Sequence, residues 1–517
     1  MSKWKIDTKQ FENFCTGCLV VLGILMMGFL SFYSLLYTSR FLSNHDNIPQ
    51  QGSGKPVLIL LLMLVTLILI FGAGKWILRK EEHRKRNIRL LLSAVCFYSV
   101  IYGIAWAFFC KYYMTWDQRL VSFFAEQFAL GIDDVSASDL AYIGAYPHQL
   151  GLIAFMEPIY RLCGWENYHA FQAVNALAAG GIVFVGYRLV DKLVQREEAD
   201  VCFLLLMLGC HPLYIYVSFV YGEVLSVLFS LIAVLGVLNW VESLRKRDLC
   251  VMAVSITLAC LIRSNCYIVL AAIGCVLTVK SVSQKTLRHL AALALCVAVF
   301  FTSHTVLIKL YEPRIGVSLS EGMPSILWVA MGLQEVEGGA GWHDESFYNS
   351  FVDESNSRQE AQEMGKQAVQ DSLKTFVSHP GYAVSFFMRK AVSQWNEPTY
   401  ACQQETNPRT QERGPLAERR YKGDLKEPFT DFMDVYQCLI YFGVFLYLVT
   451  AVRRKIPLEH MLLFIVVFGG FLFYLFWEAK SRYIFPYFMM MIPMAACGWQ
   501  ILLETLEKAL KGKTGRK

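Results

Sequence analysis

The chain has 517 residues, of which 55% are hydrophobic and only 17% are charged, and its formal net charge is +6. Soluble domains are usually less apolar, and about a quarter of their residues are charged. This composition therefore excludes an ordinary soluble globular protein. We therefore predict an all-α polytopic membrane protein.

Twelve apolar segments are candidates for membrane-spanning helices, which need about 20 predominantly apolar residues each. The first is long enough to span and no small-residue cleavage site follows it, so we interpret it as an anchor and not as a signal peptide. The segments 249–262 and 265–280 are short and could form a hairpin of partial spans. The predicted spans are 15–39, 56–78, 89–110, 168–190, 201–219, 222–241, 249–262, 265–280, 289–311, 433–452, 458–476 and 483–503.

Basic residues cluster in loops that twelve spans would place on a single side of the membrane. The positive-inside rule makes that side the cytoplasm, with both termini there. We attribute the clusters to topology and to contact with anionic lipids, and not to nucleic-acid binding. They comprise Lys3, Lys5 and Lys9; six residues from Arg79 to Arg89; Arg188, Lys192 and Arg196; Arg245 to Arg247; Lys280, Lys285 and Arg288; Arg453 to Lys455; and the tail from Lys508 to Lys517.

The chain divides into three parts. Residues 1–311 form an N-terminal transmembrane module, 312–432 form an external loop domain, and 433–517 form the closing spans with a basic cytoplasmic tail. Two long, acid-rich loops, 111–167 and 312–432, fall on the external side. The first of them is expected to carry the catalytic residue.

Short elements are predicted inside these two loops. We expect a surface helix at 121–131 and an interfacial or re-entrant stretch at 150–163. The apolar segment 326–333 is too short to span and should pack against the membrane core. We expect an amphipathic helix at the lipid headgroups over 382–395 and a mobile polar segment over 402–428.

Asp117 lies shortly past the third predicted span, where a carboxylate can face a cavity at the membrane surface. A carboxylate in that place can take the proton from an acceptor hydroxyl while the hydroxyl oxygen attacks a sugar, which is general base catalysis. The alternative interpretation is an acid that is solvated in the loop or paired with Arg119.

Three further segments of the N-terminal module could bind substrate. His148 and Gln149, directly after Tyr146-Pro147, offer neutral donors and acceptors for sugar hydroxyls, unless they only pack a turn. Glu223 opens the sixth span, where it stabilises a helix dipole, binds a sugar or acts as a second acid. Arg263 interrupts an apolar region, and its guanidinium needs a partner, either a phosphate or a carboxylate of the same protein.

The turn between the last two predicted spans is the strongest candidate site. Glu478-Ala-Lys480-Ser-Arg482-Tyr483 places three charges in a turn that is too short to carry them away from the membrane. Lys480 and Arg482 match a lipid phosphate, the anion found at that depth, and we expect Glu478 to orient the arginine. The alternative is an interfacial charge cluster that snorkels to the headgroups.

The acid in loop 111–167, the motif Tyr146-Pro-His-Gln-Leu-Gly151 and the motif Glu478 to Tyr483 together resemble the GT-C superfamily of membrane glycosyltransferases. Within it, the chain is similar to bacterial relatives of protein O-mannosyltransferases and of lipid A aminoarabinose transferases. The stretch from His379-Pro-Gly through Lys390 to Trp395, and that from Trp328 to Trp342, are similar to the outer loop of Gram-positive members. The resemblance covers nearly the whole chain through short, degenerate motifs.

The resemblance implies a GT-C-like fold, a sugar donor carried on a polyprenyl phosphate, and transfer on the external face, usually with inversion at the anomeric carbon. It makes Asp117 the general base and places Arg482, with Lys480, on the donor phosphate. This chain has Asp117-Gln118 where many protein mannosyltransferases carry an Asp-Glu pair. That departure leaves the acceptor open between a lipid, a glycan and a protein.

A lipid phosphate is already a good leaving group, so the enzyme mainly has to position the substrates and neutralise the departing charge. We therefore predict no cofactor and no metal site, with a divalent metal at Asp117 left open as an alternative. The expected partners are a polyprenyl-phosphate sugar, its acceptor and membrane lipids, with no nucleic acid.

Other function classes fit part of the pattern. A surface polysaccharide polymerase or ligase would use similar outer arginines but recognise a lipid pyrophosphate. A lipid flippase or transporter would more often show inverted repeats and charges deep in broken helices. A non-enzymatic scaffold would explain the large loop but not the charges at 478–482. The sequence favours a glycosyltransferase of the cell membrane with its active site on the external face.

Overall fold

The structure is a computed structural model that describes residues 8–42, 48–132, 136–164, 167–316, 318–319, 322–336, 339–352, 358–406, 414–454 and 456–514. These residues are mainly helical. Two short antiparallel hairpins accompany the helices: β1 (Tyr37–Arg40) pairs with β2 (Gln50–Ser53), and β3 (Glu335–Val336) pairs with β4 (Gly339–Ala340). The predicted all-α class is confirmed.

The α-helices follow the apolar pattern of the chain closely. They are α1 (Thr8–Leu36), α2 (Pro56–Ile77), α3 (Arg84–Cys110), α4 (Trp116–Leu130), α5 (Ala137–Ala145), α6 (Leu150–Cys163), α7 (Tyr168–Val194), α8 (Glu197–Leu208), α9 (His211–Ile215), α10 (Glu223–Ser243), α11 (Lys246–Ile262), α12 (Tyr267–Ser283), α13 (Arg288–Ile315), α14 (Ser325–Leu333), α15 (Glu345–Val352), α16 (Arg358–Ser378), α17 (Pro380–Trp395), α18 (Cys402–Glu405), α19 (Pro415–Tyr421), α20 (Lys426–Arg454), α21 (Leu462–Phe476) and α22 (Phe485–Thr514). Short 3-10 turns extend several of them, including Pro147–Gln149 before α6 and Ser481–Ile484 before α22.

In the described part of the chain, ten helices are long and apolar enough to cross a membrane: α1, α2, α3, α7, α10, α12, α13, α20, α21 and α22. Two of them, α12 and α21, reach this length together with the 3-10 turns that precede them, as Ser264–Ser283 and Leu458–Phe476. The segment α8–α9 is an eleventh if its two bent parts count as one span. The predicted count of twelve is therefore not confirmed. The remaining candidate, α11, has 17 residues, and at about 1.5 Å per residue it is shorter than the roughly 30 Å of a hydrocarbon core.

The bend in the α8–α9 segment has a clear sequence cause. The two parts meet at an angle of 53°. Pro212 stands in the first turn of α9, where a missing backbone N–H leaves no helical hydrogen bond unmade. The same proline could not lie inside a continuous helix, so α8 ends before it. A single predicted span at 201–219 is consequently two helices.

Basic clusters from distant parts of the chain meet on one face of the helix bundle, here called the basic face. Glu504 of α22 pairs with Arg196 at 3.6 Å and with Arg454 at 3.4 Å. Lys280 bridges Glu12 of α1 and Glu459, at 2.6 Å to each. The first and last helices therefore share the basic face, as the charge pattern predicted.

The opposite face, here called the loop face, carries the β1–β2 hairpin and both long loops. The hairpin joins α1 to α2 and is tied to the end of α17. Ser39 N donates to Asn396 O at 3.1 Å, and Asn396 Nδ2 donates to Tyr37 O at 3.0 Å. A segment near the start of the chain thus closes over the loop domain.

Two loop helices that were predicted at the membrane surface each pack one face against the protein. The stretch 150–163 is the helix α6, whose Ile153 and Met156 are fully buried against the bundle. The helix α17 buries Phe386 and Lys390 completely, while Val384 and Met388 stay exposed. An amphipathic pattern signals an apolar neighbour, but does not say whether that neighbour is lipid or protein.

The segment 402–428, predicted to be mobile, forms the helices α18 and α19 within its described residues. Cys402, Thr406 and Tyr421 are buried, and the Tyr421 hydroxyl donates to Thr406 O at 3.1 Å. Residues 407–413 of this prediction lie outside the described residues. The helix predicted over 121–131 is present as part of α4, which buries Val121, Phe124 and Phe128, and α14 packs against α16 and α21 as predicted.

Candidate functional site

Tyr221 is the centre of a polar site on the loop face. It lies just before α10 and is only 4% exposed. Its ring is 5.3 Å from the Arg263 guanidinium carbon and 5.5 Å from that of Arg482, and its hydroxyl accepts a hydrogen bond from the Gln149 amide. One aromatic side chain therefore joins residues from three separate parts of the sequence.

Buried charges form a cluster on one side of Tyr221. Glu223 Oε1 lies 2.5 Å from Arg263 Nη1 and 3.4 Å from Arg482 Nε. Glu405 receives Arg482 Nη1 at 3.0 Å and Lys480 Nζ at 3.2 Å. We call these five residues the cation cluster, because three cations face two carboxylates.

The electrostatics of the cation cluster favour an additional anion. Burial by itself would raise the pKa of Glu405, but the charges of Arg482 and Lys480 outweigh it and hold that pKa below its ordinary value. Among the described residues, Glu223 Oε2 and Arg482 Nε have no hydrogen-bond partner, although both are buried. Unpaired buried charge is costly, and a ligand with an oxyanion would compensate the excess cation.

Glu478 does not take the role that the sequence suggested for it. It lies 3.3 Å from His343 Nδ1 and accepts a hydrogen bond of 3.4 Å from the Tyr483 hydroxyl. The structure pairs Arg482 instead with Glu223 and Glu405. The prediction that Glu478 orients Arg482 is therefore corrected.

The Glu478 pair is nevertheless part of the site. Burial acts to raise the pKa of Glu478, but the hydrogen bond from His343 and its charge, together with Lys480 and Arg482, lower that pKa overall. Burial acts to lower the pKa of His343, but Glu478 raises it overall. Next to them Lys390 donates to Trp477 O at 2.7 Å, and burial lowers the pKa of Lys390 to about 7.

Asp117 lies on the other side of Tyr221, in the first turn of α4, and is half-buried. After burial, its carboxylate is the largest influence that raises the pKa of Tyr146, Tyr221 and Tyr348. Burial, Tyr221 and then Asp117 raise the pKa of Tyr142. The acid thus acts electrostatically on four tyrosine hydroxyls, and the described residues show no ion pair between Asp117 and the predicted alternative partner Arg119.

Aromatic rings line the space beside Asp117. Tyr146 stacks on Tyr348 with ring centroids 5.5 Å apart, and Trp328 stacks on Trp477 at 5.8 Å. His148 lies edge-on to Trp328 at 6.3 Å. Burial, aided by the charge of Arg263, lowers the pKa of His148 to about 4, so its imidazole is neutral near pH 7.

The structure brings all the sequence-predicted site residues to this one region. Tyr146, His148 and Gln149 lie on the side of Asp117; Glu223, Arg263, Lys480 and Arg482 form most of the cation cluster; Glu478 and Tyr483 lie next to it. For Arg263, the carboxylate alternative is correct, since Glu223 is its partner.

Sequence reasoning missed Tyr221, Glu405, His343 and the two stacked aromatic pairs. Tyr221 had a usable signal, because it stands two residues before Glu223 in an outer turn. Glu405 had none, because it lies in a polar segment that was predicted to be mobile. In the described parts of the chain, no group of three or more His, Cys, Asp or Glu side chains is arranged to hold a metal ion.

Residues 12–501 match the model of a family described as "Conserved hypothetical integral membrane protein". That range covers nearly all of the chain, including every residue of the site. The chain therefore belongs to this family of integral membrane proteins. No curated protein matches the chain.

Proposed function

We propose that this integral membrane protein is a glycosyltransferase that moves a sugar from a polyprenyl-phosphate donor to an acceptor at the loop face. Asp117 is the general base, and Lys480 and Arg482 bind the donor phosphate. One observation carries the proposal: after burial, the half-buried Asp117 carboxylate is the main influence that raises the pKa of Tyr221, whose ring lies 5.3 and 5.5 Å from the guanidinium carbons of Arg263 and Arg482.

The chemistry follows from that arrangement. Asp117 takes the proton of an acceptor hydroxyl as its oxygen forms a bond to the anomeric carbon of the sugar. The bond between that carbon and the phosphate oxygen breaks, and the polyprenyl phosphate leaves with the electron pair. Lys480 and Arg482 then stabilise the charge that develops on the phosphate.

The cation cluster is built to hold such a phosphate without moving. Glu223 and Glu405 fix the guanidinium of Arg482 from two directions, so the arginine is already oriented. Lys480 keeps 34% of its side chain exposed and can reach a ligand at the mouth of the cluster. Lysine and arginine near a membrane surface suit a lipid phosphate.

The side of the site near Asp117 suits the sugar. Tyr146, His148 and Gln149 present neutral polar atoms beside the stacked ring of Trp328. Binding sites for small organic ligands are commonly aromatic, with a few oriented polar groups. A neutral histidine can both donate and accept, as sugar hydroxyls require.

The proposal also fixes an orientation. The basic face meets the cytoplasm, both termini lie there, and the loop face with its site is external in the cell membrane. The positive-inside rule supports this orientation, because the basic clusters meet on the face opposite to the long loops. A GT-C-like arrangement of the helices belongs to the same proposal.

The decisive measurement is transfer from radiolabelled polyprenyl-phosphate sugars to cell-envelope acceptors by the purified protein. Asp117→Asn should lower kcat by about 10²- to 10⁴-fold while the melting temperature stays unchanged, because the base is lost and the shape is kept. Asp139→Asn is the matched control, since Asp139 also stands in the first turn of a helix of the same loop but accepts a hydrogen bond from Ser136 Oγ at 2.5 Å.

Two results would contradict the proposal in different ways. Full activity of Asp117→Asn would show that Asp117 is not the general base, but the transferase reaction itself would stand. Failure of the wild-type protein to consume any donor with any envelope fraction would reject glycosyl transfer. The polymerase or ligase and the flippase would then be tested with a lipid pyrophosphate and with lipid movement.

A further inference from the structure

A separate cavity of about 310 Å³ opens on the loop face, outside the site around Tyr221. Its walls come from the β1–β2 hairpin, from the segment between α17 and α18, from α18 and from the start of α20. Pockets for small ligands usually begin at about this size. None of the residues predicted from the sequence to bind substrate lines it.

The charges in the wall of this hairpin cavity are already neutralised. Arg40 pairs with Glu427 at 3.0 Å and with Asp431 at 2.7 Å, and it also contacts Asp434. Lys55 pairs with Asp431 at 2.7 Å. Lys426 Nζ donates to the backbone oxygen of Leu42 at 3.0 Å and has no carboxylate partner among the described residues, but Glu397 adds a further acid to the wall. The described wall and its paired acids therefore hold three cations against four acidic side chains, with no excess of positive charge, unlike the cation cluster.

The other lining groups are mostly neutral and polar. Four glutamines line the cavity together with several hydroxyl side chains, and the rings of Phe41 and Tyr421 add apolar surface. Each glutamine amide carries two donor hydrogens and an acceptor oxygen. Sugar hydroxyls donate and accept as well, so amides are suitable partners for them. Gln51 Nε2 already donates to the Tyr33 hydroxyl, whereas Gln403 Nε2 is buried without a hydrogen-bond partner among the described residues. The four glutamines are Gln50, Gln51, Gln403 and Gln404.

We propose that the hairpin cavity binds a neutral saccharide. Amides and hydroxyls complement its hydroxyl groups, the two rings complement its apolar ring faces, and the balanced ion pairs give no advantage to an anionic ligand. The inference concerns binding alone and does not rest on the glycosyltransferase proposal.

The helix α18 links this cavity to the cation cluster. Gln403 and Gln404 line the cavity, and the next residue, Glu405, holds Arg482 at 3.0 Å and Lys480 at 3.2 Å. At the other end of the same wall, Glu397 lines the cavity and accepts hydrogen bonds from Thr399 N and Oγ1 at 3.0 and 2.6 Å. A saccharide in the cavity would therefore touch the segment that positions the buried arginine.

The test is direct binding of neutral sugars to the purified full-length protein in detergent, by ligand-observed NMR and calorimetry. Mannose, galactose, N-acetylglucosamine and maltose are the probes, and potassium phosphate is the charged comparison. At least one sugar should bind, and Gln50→Ala and Gln403→Ala should each weaken that binding about tenfold through a lost hydrogen bond. Gln362→Ala, on the exposed face of α16, should leave it unchanged.

Gly52 lines the cavity and leaves room for a side chain beside it. A Cβ atom at this position in β2 would meet no atom within 4 Å, so Gly52→Trp can add an indole where the strand lines the cavity. This variant should abolish sugar binding. The melting temperature shows whether the Gly52→Trp variant folds. If it does not fold, the two glutamine variants still test whether the sugar binds in this cavity.

Three outcomes would overturn the inference. The first is that no sugar binds the wild-type protein at millimolar concentration. The second is that phosphate binds in a way that the glutamine variants weaken. The third is that Asp117→Asn removes sugar binding while the glutamine variants keep it, which places the sugar at the site around Tyr221. Donor consumption is measured separately, so failure of the transferase proposal is distinguishable from each of these results.

Discussion

Arg482 illustrates how a single residue depends on partners that are far away in the sequence. Its carboxylate partners, Glu223 and Glu405, lie in an early helix and in the loop domain. A buried arginine without such partners would cost several kcal/mol, because its charge loses the hydration that it has in water. The cation cluster is therefore a structural element as well as a candidate phosphate site.

Glu405→Gln tests this double role at the residue scale. The cluster already has three cations against two carboxylates, so removal of one carboxylate should lower the free energy of unfolding by about 3–5 kcal/mol. Adding Arg482→Met to this variant should recover part of that loss, because the uncompensated charge is removed with its partner. The measurement is the apparent melting temperature in detergent.

A surface acid provides the control for this comparison. Glu363 pairs with Lys366 at 2.6 Å but keeps 71% of its side chain exposed, so Glu363→Gln should change stability by less than about 1 kcal/mol. A double variant that is no more stable than Glu405→Gln alone would show that the two residues are not coupled.

Close packing at the scale of the helix is clearest between α20 and α22. A Cβ atom on Gly498 would stand only 1.9 Å from Gly443 O, so the two backbones approach each other too closely for any larger side chain. Small residues at such contacts are common between membrane helices, where van der Waals packing replaces the hydrophobic effect. Because α22 also carries the turn with Arg482 at its start, this contact fixes the position of the site.

Gly498→Ala should therefore destabilise the protein, although alanine forms helices better than glycine. Separation of α20 from α22 should cost about 1–3 kcal/mol, against a gain in helix propensity of at most about 1 kcal/mol. Gly274→Ala is the matched control in α12, where the nearest atom would be 3.6 Å away. Its melting temperature should stay the same or rise, and an equal fall in both variants would reject the explanation by close contact.

Two opposite faces organise the whole molecule. The basic face gathers clusters from both ends of the chain, and the loop face gathers the hairpin, the long loops and the site. Native cysteines report on each face: Cys163 is exposed at the end of α6 on the loop face, and Cys250 is exposed near the start of α11 on the basic face.

A membrane-impermeant maleimide can test the orientation in intact cells. Labelling should occur in the wild-type protein and in Cys250→Ser, and it should fall strongly in Cys163→Ser, because the loop face is proposed to be external. The reverse pattern would place the basic face outside and contradict the positive-inside assignment. Labelling after permeabilisation shows that each remaining cysteine is reactive.

The sequence by itself determined the membrane class, the positions of the apolar helices and the separation of charge between two faces. These features are local or additive. A run of apolar residues favours a membrane span, and a basic loop favours the cytoplasmic side, whatever tertiary contacts they make. It also identified ten residues that meet in one region. Six of the ten are charged, and a charged residue beside a span requires a partner: Asp117, Glu223, Arg263, Glu478, Lys480 and Arg482.

Only the tertiary structure decided who those partners are. Glu405 replaced Glu478 beside Arg482, Tyr221 became the centre, and a hairpin from the start of the chain enclosed a second cavity. The span 201–219 became two helices, and one face of α17, with Phe386 and Lys390, was buried against the protein. Contacts of this kind join residues that are up to hundreds of positions apart in the sequence. Burial makes an unpaired charge costly, so each buried charge needs a partner, but no local sequence pattern shows which distant residue that partner is.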